Sequence, residues 1–149
     1  MSEWPPHVTV ASVIIQDGLY LLVEERDKYS GALVFNQPAG HLEPGESLVE
    51  AAMRETLEET GWQVEIIGIL GMALYSAPGN GLTYYRTTFL GKPLSVLDDY
   101  RTDPDIHAVH WMDYEEIRAK GGRMRSPLVL SSIEQHRRGV CCPLDLIYG

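Results

Sequence analysis

The stretch GHLEPGESLVEAAMRETLEETGW, Gly40 to Trp62, constrains this chain more than any other part of it. It opens with a turn rich in glycine and proline and passes into a helical pattern. Ser47 is a good N-cap, and Glu50 three positions on completes a capping box. Gly61 suits the left-handed position that closes a helix. On that helix Glu55, Glu58 and Glu59 stand at i, i+3 and i+4, within an arc of roughly 100°. Val49, Ala52, Met53, Thr56 and Leu57 fall on a second arc of roughly 140°, the expected core face.

Three carboxylates on one face repel one another by a few tenths of a kcal/mol per pair. A face meant only for solubility would mix lysines among them, yet the segment has none, and Arg54 alone serves several carboxylates. A hard divalent cation would remove the repulsion. Magnesium prefers carboxylate and water oxygens and bridges protein to substrate phosphates. The loop before the helix adds to this: backbone can approach phosphate or metal closely where glycine leads into a helix N-terminus, and the Gly40 carbonyl is a candidate ligand. The plainer alternative is a solvated face, and the glutamates alone favour it. Arginine and glycine loop together reverse that preference.

The rest of the chain supplies a scaffold. Residues 7–25 read as two strands around Gln16-Asp17-Gly18, a hairpin signal. Residues 26–32 read as a loop, and 33–40 as a short apolar stretch punctuated by Pro38 and Gly40. Residues 63–76 are β-branched and apolar and predict a strand broken at Gly68 or Gly71. A turn at 77–81 precedes a strand over 82–91, an acidic loop over 92–106 and a last strand over 107–112. Asp113 and Glu116 form a second capping box, opening a short helix closed by Gly121. Ser126-Pro127 opens a third helix that ends near Gly139. Strands, helix, strands, helices is the order of an α/β domain with a mixed sheet and helices on both faces.

Composition narrows the partners. The chain has 149 residues, 44% of them hydrophobic, enough for one domain over residues 1–149 with its own core. The formal net charge of -9 argues against a nucleic-acid polymer, which a basic surface would bind. No apolar run approaches the roughly 20 residues of a membrane span. The opening MSEWPPHVTV lacks a basic region followed by an apolar run, so no signal peptide is expected. The two cysteines, Cys141 and Cys142, are adjacent and read as buried or partly buried free thiols, in keeping with a cytoplasmic location.

The glycine, arginine and glutamates of the segment resemble the Nudix box, G-x5-E-x7-R-E-U-x-E-E-x-G-U, with U bulky and apolar. Gly40, Glu46, Arg54, Glu55, Glu58, Glu59 and Gly61 fall in register. Thr56 and Trp62 depart from it at packing positions. The flanking elements are similar to a Nudix α/β/α sandwich with a central mixed sheet. Within the family, PHVTVASVI, NQPAGHLEPGESLVEAA, RSPLV and CCPLDLI resemble the bacterial NudJ-type phosphatase branch. That resemblance implies a hydrolase of diphosphate linkages. It would release phosphate from nucleoside di- and triphosphates, thiamine diphosphate or its pyrimidine precursor, by attack of water on phosphorus.

The same resemblance assigns roles. Glu55, Glu58, Glu59 and the Gly40 carbonyl would hold Mg2+ or Mn2+, with Glu59 the first choice for a bridging ligand. Glu55 is the first candidate for general base and Glu59 its rival. Arg54 would pair with Glu55 or Glu46 and fix a carboxylate. Asp103 and Asp105 could supply a further metal ligand from a loop outside the box, Asp105 being nearer the strand. Arg26 and Arg86 suit phosphate by their fork geometry. Tyr75 could stack on a ring, and His41 could approach phosphate. The partner would be a small phosphorylated substrate, the protein a monomer or homodimer. Two other readings compete. A non-catalytic Nudix module that senses a nucleotide would typically have lost box glutamates. An isopentenyl-diphosphate-isomerase-like enzyme needs a pocket cysteine, whereas Cys141 and Cys142 lie in an expected tail.

Overall fold

The computed structural model of the chain describes residues 4–149, so the first three residues of the N-terminal reading lie outside it. Seven strands and three helices follow the expected order: β1 His7–Gln16, β2 Leu19–Arg26, β3 Leu33–Asn36, β4 Ala39–His41, α1 Leu48–Thr60, β5 Trp62–Ser76, β6 Thr83–Val96, β7 Ile106–Met112, α2 Tyr114–Ala119 and α3 Pro127–Arg137.

Strand β1 organises the sheet. Residues 9–14 are buried without interruption, as expected of a strand covered on both faces. Asp17 and Gly18, both at positive φ, turn it into β2, but the two strands pair only at Ile15–Tyr20 and Gln16–Leu19. Further back the same edge of β1 takes β4, from Thr9–His41 to Ala11–Ala39. The other edge runs parallel to β6, which pairs antiparallel with β5. β2 leaves with β3 and β7. The result is a mixed sheet that splays, bringing β4 and its glycine beside the helix that follows.

Two cores result from the alternation of side chains along β1. Val10 and Ile14 pack with Ala51 and Ala52 of α1, together with Val64 and Phe89. Val13 packs on the opposite side with Leu70, Val129 and Ile133. Helices therefore cover both faces.

The structure corrects several expectations. β5 is continuous through Gly68 and Gly71, where the register with β6 shifts instead of breaking. A Cβ on Gly68 would stand 2.3 Å from Cys141 Sγ and 3.3 Å from the Cys142 carbonyl oxygen, so a side chain there would crowd the C-terminal segment. That segment is no loose tail: Cys142 and Ile69 exchange two backbone hydrogen bonds of 2.8 Å. Cys141 itself is exposed. β6 extends to Val96, through part of the expected loop, because β5 starts directly after α1 and offers Trp62 as a partner.

On α1 the core face is rotated from the expected arc. Met53 is 44% exposed and Val49 and Leu57 are only half-buried, while Ala51, Ala52, Thr56, Glu59 and Thr60 are buried. The two alanines let the helix sit close to the sheet. Thr56, at the position where the family pattern has an apolar residue, satisfies its hydroxyl by donating to the Ala52 carbonyl at 2.7 Å.

Candidate functional site

Both helix termini are built as the sequence predicts. Ser47 and Glu50 make the reciprocal capping box, and Gly61, at φ 78°, donates its N–H to the Leu57 carbonyl. With its ends fixed, α1 presents its carboxylates to the β3–β4 turn. Glu59 is 8% exposed and accepts the Ala39 N–H at 2.8 Å. Glu55 lies against Gly40: a Cβ there would stand 2.2 Å from the Glu55 carboxyl carbon and 2.3 and 2.5 Å from its oxygens. The glycine is thus required by a carboxylate and not by its backbone angles.

Arg54 is the hub. Its Nε and Nη2 donate to the two oxygens of Glu46 at 2.9 and 2.7 Å. Nη1 donates to Glu55 at 2.8 Å and to Glu58 at 3.2 Å, and Nη2 also reaches the His41 carbonyl at 3.0 Å. Sequence reasoning offered Glu55 or Glu46 as partner; the guanidinium meets both. One fork therefore ties helix to loop and fixes where Gly40 sits relative to Glu55.

The electrostatics separate these carboxyls. Arg54 holds Glu46 down at about 2. Burial pushes Glu55 up, against the pull of Arg54. Burial pushes Glu59 up to about 9, opposed by the Ala39 N–H and reinforced by the charges of Glu25, Glu55 and Asp103. Like charges are thus crowded in a poorly solvated place. Among the described residues no three carboxylate, imidazole or thiolate side chains converge on one point; Arg54 Nη1 bridges Glu55 and Glu58, while Glu59 turns to the Ala39 amide.

Other expected site residues are dispersed. Asp105 is exposed, 3.4 Å from Lys28 Nζ. Asp103 is the loop acid whose charge reaches Glu55 and Glu59. Its N–H donates to the Glu58 carbonyl at 3.2 Å, which docks the 97–105 loop on the free carbonyls at the end of α1. Arg26 is exposed and donates to the Gly31 carbonyl of its own loop. His41 meets His7 at 3.2 Å and packs edge-on to Tyr84. Tyr75 lines a cleft of about 550 Å³ with Met124, Arg125, Ser126 and Leu130. Arg86 is buried, with Gln37 and Thr88 as hydrogen-bond partners. Sequence reasoning missed Glu25, Gln37 and Arg125. Nothing in their local sequence separates them from ordinary strand and loop residues.

A family model described as the NUDIX domain matches residues 5–131. The phosphatase NudJ of Shigella boydii is 40% identical over 142 residues, covering 95% of this chain and 90% of its own. A solved NUDIX hydrolase from Nitrosomonas europaea is 45% identical, covers 97% of both chains and superimposes with a TM-score of 0.94. The bifunctional NMN adenylyltransferase/ADP-ribose pyrophosphatase of Francisella tularensis was solved with AMP and a manganese ion. It shares the fold at 20% identity and a TM-score of 0.66, with 94% of this chain and 43% of that one covered. The conjunction of glycine loop, arginine hub and helix carboxylates, on a chain so similar to NudJ phosphatases, places this protein in the Nudix family as a hydrolase of phosphoric anhydrides.

Proposed function

We propose that the chain is a divalent-metal-dependent phosphatase of small phosphorylated molecules. Its substrates are nucleoside di- and triphosphates, thiamine diphosphate or the pyrimidine precursor of thiamine. We take residues 1–149 as one hydrolase domain acting in the cytoplasm, monomeric or homodimeric. The observation that carries the reading is the seat of the Glu55 carboxylate in the space a side chain at Gly40 would fill. It brings a carboxylate against the peptide of the loop strand, with Glu58 and Glu59 on the same helix face.

The donor set fits Mg2+ or Mn2+: carboxylate oxygens and a peptide carbonyl are hard ligands, and the set contains no thiolate. Glu55, Glu58, Glu59 and the Gly40 carbonyl would hold the metal. When bound, it neutralises charge on the phosphoryl oxygens and lowers the pKa of water.

The chain's own groups do the rest. Glu55 is the first candidate to take the proton from the attacking water, with Glu59 its rival. Arg54 positions Glu55 and Glu58. For the further loop ligand we favour Asp103 over Asp105: Asp105 pairs with Lys28, and the charge of Asp103 reaches Glu59. Arg86 and Tyr75 would meet the substrate, and His41 would approach phosphate. Arg26 has the weaker claim, being held in its own loop.

The test is turnover of nucleoside di- and triphosphates, ADP-ribose, diadenosine polyphosphates and thiamine diphosphate with Mg2+, beside Glu59→Gln. Stepwise release of orthophosphate, lost in the variant and without metal, is expected. Pyrophosphate or a nucleoside monophosphate as the only product would overturn the phosphatase reading. No turnover with Mg2+ or Mn2+ would overturn the catalytic one.

A further inference from the structure

Arg86 is an anomaly of charge. It lies on β6, opposite Thr9 of β1 and Ala73 of β5, and only 7% of it is exposed. Its Nη2 donates to Gln37 Oε1 at 2.6 Å and its Nε to Thr88 Oγ1 at 3.3 Å. Both partners are neutral, and among the described residues no carboxylate lies within salt-bridge distance of it. Gln37 cannot turn to offer anything else. It is 1% exposed, and its Nε2 is committed to the Val129 carbonyl at 2.7 Å, so its oxygen stays aimed at the guanidinium. The cation is positioned with care and left without a counter-ion.

The carboxylate whose charge reaches Arg86 bonds elsewhere. Glu25 accepts from Arg125 Nη1 at 2.9 Å and from Asn36 Nδ2 at 3.4 Å. Arg125 is a second guanidinium whose charge bears on Arg86, and it lines the cleft with Tyr75. Glu134 lines the same cleft, so the charges of this wall balance overall, but neither Glu25 nor Glu134 bonds Arg86, whose partners are Gln37 and Thr88. A buried cation without a partner is costly, and the usual remedies are a carboxylate or a neutral residue. No carboxylate bonds Arg86, which leaves an anion delivered from outside. Arginine's planar fork matches the oxygens of a phosphate.

We propose that Arg86 and Arg125 form an anion subsite that takes a terminal phosphate of the substrate. The inference rests on the reading of the chain as a phosphatase and names its substrate class. A doubly charged terminal phosphate suits two guanidiniums better than a singly charged internal one. The subsite therefore selects di- and triphosphate esters over molecules whose phosphates are capped at both ends. Orthophosphate, the expected product, would occupy it too.

The experiment uses inorganic phosphate on the full chain in EDTA, read by calorimetric titration and thermal denaturation, for wild type, Arg86→Gln and Arg125→Gln. Phosphate should bind and stabilise the wild type. Arg86→Gln should bind it at least about 10-fold more weakly, and Arg125→Gln, at an exposed position, should show a smaller loss in the same direction. Without phosphate, Arg86→Gln should melt no lower than the wild type, because it removes an unpaired buried charge. In turnover, KM for a nucleoside triphosphate should rise in both variants while KM for a dinucleoside polyphosphate stays. A wild type that ignores phosphate would overturn the subsite, as would two variants that bind it like the wild type. If Arg86→Gln fails to fold, the Arg125→Gln result decides alone. Binding in EDTA is independent of turnover. A chain that binds phosphate through Arg86 but hydrolyses nothing would refute the phosphatase and keep the subsite, and the reverse result would do the opposite.

Discussion

Replacing Gly40 with alanine tests the site at its narrowest point. The new Cβ would stand 2.2 Å from the Glu55 carboxyl carbon, where ordinary carbon contacts begin near about 3.5 Å. Gly40 is fixed in register opposite Val10 of the central strand, so the carboxylate is the group that yields, by about 1 Å or more. Yielding breaks its 2.8 Å bond from Arg54. A hydrogen bond to a charged group contributes about 1.5–3 kcal/mol, and the lost freedom of the unfolded chain returns about 0.4–1 kcal/mol. The net cost is about 1–2 kcal/mol, or a fall in Tm of a few degrees. Displacement of a reacting group by about 1 Å costs far more in rate, on the order of 100-fold. The assay is orthophosphate release over a range of Mg2+, beside thermal denaturation, with Gly122→Ala as a control because nothing lies within 4 Å of its added carbon. A Gly40→Ala enzyme with wild-type kcat and Mg2+ dependence would refute the reasoning. So would one that no longer folds, since the backbone would then have yielded instead.

Three further expectations concern the same helix. In EDTA, Glu59 has a folded pKa of about 9 against an ordinary 4.5, so the folded state holds the extra proton and stability falls as pH rises between those values. Wild type should therefore lose Tm relative to Glu59→Gln from pH 5 to pH 8, by up to about 1.4 kcal/mol per pH unit; a gap that stays constant would contradict the burial argument. Arg54→Lys keeps the charge but loses the fork that joins Glu46, Glu55 and Glu58, and should lower kcat about 10- to 100-fold with about 1 kcal/mol of stability lost. Equal kcat for Lys and Arg would show that charge alone suffices. Thr56→Val leaves no orphan, because the Ala52 carbonyl keeps its helical partner, and should change stability by less than about 1 kcal/mol in urea denaturation; a larger loss would mean the back-bond of Thr56 matters more than its shape.

Local chemistry made much of the protein legible in advance. Ser47, Glu50 and Gly61 fix the ends of α1 whatever packs around it, and Asp17-Gly18 fixes the first turn, because caps and tight turns depend on backbone angles a few residues apart. The spacing of Glu55, Glu58 and Glu59 puts them on one face for the same reason. What each carboxylate experiences is another matter. That Glu59 is buried and Glu46 held ionised follows from β4 folding back on β1 and from Arg54 reaching across the loop. The first joins strands about 30 residues apart; the second, across eight residues, was offered by the sequence, but not that one guanidinium would meet Glu46, Glu55 and Glu58 together. The proposed preference for Asp103 over Asp105 rests on a loop docked against the last carbonyls of α1, and the extra length of β6 on where β5 begins. Arg86 reads in the sequence as a phosphate candidate on residue type alone, no different from Arg26. Only the meeting of β6 with Gln37 and α3 shows it buried without a counter-ion. Sequence determines which groups are available and how neighbours along the chain are spaced; tertiary structure determines their solvent and their partners, because burial and charge pairing are properties of the space between elements.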